Sequence, residues 1–156
     1  MGAYTGGEHD VTAELNEGTD MSHVTLVGTD QALLEGLAQS LSALGHQTTV
    51  AGSFGEAREL AASRPPLVLV ADRALANDAG AELLSVPLTS GGARLLYRTT
   101  SLPMAPLVPA LQRAVLADLA LPQERHRLAA LVQSVCERAR MTGRAARHTP
   151  TEGRAI

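Results

Sequence analysis

The sequence predicts an α/β protein: a doubly wound, five-stranded parallel sheet in three α/β/α layers. Two observations predict it. Short apolar runs alternate with helical stretches five times, at spacings of about 20–25 residues. At the centre lies Pro66-Leu67-Val68-Leu69-Val70-Ala71-Asp72, an apolar run after a proline that ends on a carboxylate. A run this short reads as a strand buried on both faces, as in the middle of a parallel sheet.

In chain order, residues 1–20 carry five acids (Glu8, Asp10, Glu14, Glu17, Asp20), no base and few large apolar residues, the composition of a disordered tail. His23–Val27 is the first strand, closed by Gly28-Thr29-Asp30. A helix follows with Leu33, Leu34, Leu37, Leu41 and Leu44 on one face, N-capped by Thr29 or Asp30 and ended by Gly45. Thr48–Val50 is a second strand. Ser53 and Glu56 form a capping box for a second helix that stops before Pro65-Pro66.

After the central strand, a loop is expected from Arg73 to Asn77, then a third helix carrying Leu83 and Leu84. Arg94–Arg98 is the fourth strand, ending at Thr99-Thr100. Prolines 103, 106 and 109 delay the fourth helix to near Leu107. Leu116–Leu121 is the fifth strand, and Pro122 sits in the first turn of a last helix with Leu128, Leu131, Val132 and Val135 buried. The folded part is expected to span residues 21–140, with 141–156 a flexible basic tail.

Composition excludes several classes. The chain of 156 residues is 45% hydrophobic and 19% charged, values of one globular domain. A net charge of -3 lacks the basic footprint of direct nucleic-acid binding. No apolar run is long enough for a membrane span and no leader is visible, so a cytoplasmic location is expected. The single Cys136 excludes an internal disulfide and reads as a small core residue on the last helix. The five histidines are scattered, with no ligand spacing for a metal, and no serine lies in a nucleophile elbow. No constellation supports an enzyme. All 13 basic residues are Arg, a lysine-free bias typical of GC-rich bacterial genomes.

Open α/β sheets bind at the C-terminal ends of their strands. Here strands one, three, four and five end in Gly28-Thr29-Asp30, Asp72, Thr99-Thr100 and Leu121-Pro122. The ordered set resembles the receiver domain of two-component response regulators (CheY-like), which implies a flavodoxin-like fold. Asp72 follows Thr29 by about 43 residues, and Leu121-Pro122 follows Thr99 by 22. Gly80 and Ala32-Leu33-Leu34 add to the likeness.

The resemblance implies that Asp72 matches the phosphoacceptor and Thr99 the switch hydroxyl, with Thr100 the alternative in a shifted register. The departures are larger. The acidic pair that holds Mg²⁺ in receivers falls on Gly28 and Thr29, with Asp30 one position late. The strand-five lysine is Leu121, and the aromatic switch position is Asp118. Phosphoryl transfer depends on positioning and on neutralising charge on the phosphoryl oxygens, and Mg²⁺ wants a shell of oxygens with one or two carboxylates. With Lys absent, only Thr99 and the neighbouring Arg73 and Arg98 are left to face a phosphate, and strand alternation lets Arg98 point away equally well.

The expectation is therefore a degenerate pseudo-receiver with no cofactor and weak Mg²⁺ binding at best. It would act as a phosphorylation-independent signalling or interaction module. A phosphoacceptor with a non-standard metal site at Asp72, and a small-molecule sensor using the more apolar crevice, are the alternatives. For Asp72 itself, a strand-end carboxylate capping the next loop competes with a phosphoacceptor role. Thr99 reads equally as a turn hydroxyl. The resemblance implies a protein partner or homodimer through the face of the fourth helix, fifth strand and fifth helix. On this chain that face carries Leu107, Leu111, Val115, Arg113, Arg125 and Arg127, some of them core residues.

Overall fold

The computed structural model describes the backbone of residues 22–78, 80–99 and 106–155, and side-chain surroundings for 22–76, 81–99 and 106–143. The acidic stretch 1–20 and Thr100 lie outside the described residues. The elements are β1 (His23–Val27), α1 (Gln31–Ala43), β2 (Gln47–Ala51), α2 (Phe54–Ser63), β3 (Val68–Asp72), α3 (Arg73–Asp78), α4 (Gly80–Ser85), β4 (Ala93–Arg98), α5 (Pro109–Ala114), β5 (Val115–Ala120) and α6 (Arg125–Ala155). The strands pair in parallel in the order β2-β1-β3-β4-β5.

The apolar runs become strands because both sheet faces are covered. Val68, Leu69, Val70 and Ala71 of β3 are all fully buried. Successive side chains take opposite faces. Val24, Leu26, Val68, Val70, Leu95, Tyr97, Leu119 and Leu121 pack with α1 and α6. Val27, Leu69, Ala71 and Leu96 pack with α2, α3, α4 and α5 on the other face. Each aliphatic side chain so buried contributes about 1.5–3 kcal/mol.

The helix starts follow local chemistry. Asp30 Oδ1 accepts from the Leu33 amide at 3.1 Å, capping α1. Ser53 Oγ accepts from the Glu56 amide at 3.1 Å, while Glu56 Oε1 accepts from the Gly52 amide at 2.8 Å. Gly45, at φ +98°, makes the left-handed turn out of α1 that a side chain would resist.

Three expectations need correction. Residues 73–78 are the short helix α3 and not a loop. Asp72 Oδ1 accepts from the Ala74 amide at 2.9 Å, which turns the chain straight into good helix formers. The fourth helix of the sequence reading, α5, begins at Pro109, where the ring suits the first helical turn. The last helix begins at Arg125 and not at Pro122. Residues 121–124 form a turn closed by Glu124, whose amide donates to Ala120 O at 2.7 Å and whose Oε1 accepts from the Ala120 amide at 2.7 Å. The Leu121-Pro122 peptide is cis. The backbone of α6 is helical to Ala155.

Candidate functional site

The crevice is set by strand parity. Val27 pairs with Ala71 and Asp72 with Tyr97, so the ends of β1, β3 and β4 stand side by side. Gly28 continues the alternation of Val24 and Leu26, Asp72 that of Val68 and Val70, and Leu121 that of Leu119. These positions therefore share the face covered by α1 and α6.

Tyr97 takes the centre of this corner. Its ring is fully buried in the core, and a Cβ built on residue 28 would overlap its hydroxyl oxygen. Gly28 is thus a steric requirement: the missing side chain leaves the room that the phenol fills. The Tyr97 hydroxyl is buried and makes no hydrogen bond. Burial pushes its pKa well above the ordinary phenol range, and the charges of Asp72 and then Asp30 add to the rise. The group is a neutral phenol at any working pH.

The sequence reading gave Tyr97 no role. The usable signal was a glycine closing β1 together with a bulky aromatic on β4 at the parity of the strand-end Asp.

The other sequence candidates divide. Asp72 is half-buried at the strand end and holds the start of α3 through Ala74. Thr29, Asp30 and Thr99 are exposed. Asp30 Oδ1 is engaged as the α1 cap. Leu121 is fully buried in the α1–α6 core, so its side chain is a packing group.

Arg73 and Arg98 turn from the crevice to the opposite face of the sheet. Arg73 Nη1 donates to Asp118 Oδ2 at 2.7 Å, and Arg98 Nη1 lies 3.2 Å from Asp118 Oδ1. Asp118 thereby becomes the anion between two guanidiniums. Arg98 points away from the crevice, the orientation that strand alternation had left open. The pairing spans 45 residues in sequence, and no local pattern announces it.

The partner face also changes. Leu111 is buried, and Leu107 and Val115 pack against the α2–α5 core. The exposed apolar side chains beside them are Val108 and Leu116, 57% and 46% exposed. Arg113, Arg125 and Arg127 are exposed as expected.

No protein-family model matches the chain, and no curated protein matches it in sequence. Solved structures do match in fold. A CheY-like response regulator receiver domain from Methylobacillus flagellatus superimposes with TM-score 0.61 at 18% identity, over 74% of this chain and 99% of that one. The fold is that of a receiver domain. The signal receiver domain of a putative Luxo repressor protein from Vibrio parahaemolyticus gives 0.60 at 14% identity, over 80% and 97%. The receiver fold also fits NtrX from Brucella abortus, solved in complex with ADP, with TM-score 0.66 at 18% identity. That match covers 81% of this chain and 28% of the longer protein. Among the described residues of this receiver fold, no helix is long and apolar enough to cross a membrane.

Proposed function

We propose that this receiver-fold domain is a regulatory interaction module that works without phosphoryl transfer. The observation that carries the reading is Tyr97, whose hydroxyl occupies the space over Gly28 that a metal-binding carboxylate would need. The residues present do not fit Mg²⁺. Gly28 offers no ligand and admits none, and Asp30 and Asp72 each spend an oxygen on a backbone amide. Two carboxylates so engaged fall short of the hard oxygen shell that Mg²⁺ demands. At the end of β5, Leu121 supplies packing where a cation would be needed to neutralise a phosphoryl group.

The same filling argues against a metabolite in this crevice. A protein partner remains, and the exposed Val108 and Leu116 beside Arg113 give β5, the edge strand, an apolar spot with a cationic margin. Such a surface suits a partner with an apolar centre and acidic rim, or a second copy of this chain.

The test is intact mass after incubation with Mg²⁺ and acetyl phosphate, wild type against Asp72→Asn. The expected result is no phosphate adduct on either. An adduct on the wild type that disappears in the variant would overturn the reading and make Asp72 a working phosphoacceptor.

A further inference from the structure

A second site lies at the other edge of the sheet. A cavity of about 440 Å³ opens beneath the N-terminal ends of β1, β3 and β4 and against α6. Its polar lining comprises Ser22, His23, Ser63, Arg64, Ser90 and Arg140 among others, and no carboxylate lines it. Pro65, Leu67 and Ala139 supply an apolar wall. The volume lies within the range of small-molecule sites.

Two features set this cavity apart from an ordinary surface dent. First, its two guanidiniums carry no carboxylate partner among the described residues. Arg64 gives one arm to the neutral side-chain oxygen of Gln47. The nearby Glu137 accepts from Gln133 Nε2 at 3.2 Å. Second, His23 is nine-tenths buried, and its Nε2 meets Thr49 Oγ1 at 2.6 Å. Burial first, and the Arg64 charge second, lower the proton affinity of this ring, with the Arg64 backbone opposing weakly. The ring thus lines a cavity that also carries the Arg64 and Arg140 guanidiniums and no carboxylate.

We propose that this cavity binds a small organic phosphate. Guanidiniums recognise phosphate oxygens by parallel, charge-assisted hydrogen bonds. Hydroxyls such as Ser90 add donors for a tetrahedral oxyanion, and the apolar wall leaves room for the organic part of a phosphate ester. The site is separate from the Asp72 crevice, at the opposite end of the strands, so it stands whether or not Asp72 accepts phosphate.

The test titrates the full-length, ¹⁵N-labelled protein with inorganic phosphate and with phenyl phosphate, sodium chloride holding ionic strength constant. Saturable amide shifts at Ser22 and Ser90 are expected with both, tighter for the ester. Binding should weaken at least tenfold in the Arg64→Gln/Arg140→Gln double variant and remain unchanged in Asp72→Asn. Ser90→Asp, a change on an exposed loop, gives a second route to the same weakening if the double variant folds poorly. Shifts that do not saturate, that persist in the arginine and Ser90 variants, or that vanish with Asp72→Asn would overturn the proposal. An ester that binds no tighter than phosphate would overturn its organic part.

Discussion

The hydroxyl of Tyr97 stands over Gly28, in the volume that any side chain at position 28 would enter. Gly28→Ala should therefore destabilise the domain by about 1–3 kcal/mol, the usual cost of overpacking a core. With the hydroxyl removed, the nearest ring carbon and Leu34 Cδ1 lie at 3.4 Å from the added Cβ, an ordinary contact. The loss should shrink to below about 1 kcal/mol when Gly28→Ala is placed in a Tyr97→Phe background. Urea unfolding of the four proteins gives the coupling, and additive losses would refute the steric account.

Tyr97→Phe alone bears on the unpaired hydroxyl. Removing a buried polar atom that makes no hydrogen bond should be neutral or stabilising by up to about 1 kcal/mol. A melting temperature clearly below wild type would mean that the hydroxyl has a partner in solution.

Asp118 holds two guanidiniums on the far face of the sheet. Its side chain and that of Arg73 are 23% and 11% exposed, so the pair is partly screened and falls between surface and buried limits. Asp118→Ala should cost about 1–3 kcal/mol, because it leaves two like charges facing each other. Arg98→Ala should cost less than Arg73→Ala, since the Arg98 contact is longer and its side chain more exposed. Chemical denaturation ranks the three, and the reverse order for the two arginines would overturn this picture.

Acid should weaken the fold through two histidines. Burial lowers the pKa of both His23 and His46 below 6.5. In each case burial is the largest cause. As pH falls below about 6.5, the unfolded chain takes up protons that the folded chain refuses, so stability falls with pH in that window. His46 sits at this edge with Ser22 Oγ at 2.8 Å from its Nδ1 and Cys136 Sγ at 3.8 Å. Melting curves from pH 8 to 5 should show the decline, and His46→Gln should flatten it. A variant that tracks wild type over the whole range would assign the effect elsewhere.

Much of this architecture is legible in the sequence because it rests on local signals. The aliphatic runs of β1 and β3, the leucine face of α1 and the Ser53–Glu56 box each act over a few residues. Asp72 at its strand end is legible for the same reason. The contents of the site are less so. Tyr97 meets Gly28 only through strand pairing across the sheet, and Arg73 reaches Asp118 across 45 residues. Helix α3 escapes because six residues are too few to show a period. Leu111 and Leu116 look alike in sequence, yet Leu111 is core on α5 while Leu116 faces out on β5, where the register with β4 skips it between Val115 and Ala117. The phosphate cavity draws on segments as far apart as Ser22 and Arg140, which only the closed fold brings together.

The Tyr97–Gly28 fit also constrains mutational history. Placing an acidic side chain at position 28 while the phenol is present meets a steric barrier, so that single change passes through a weakened fold. The aromatic has to shrink first, and that change by itself confers no metal ligand. The two positions are thus coupled by epistasis, and any laboratory attempt to install a side chain at position 28 should begin at Tyr97.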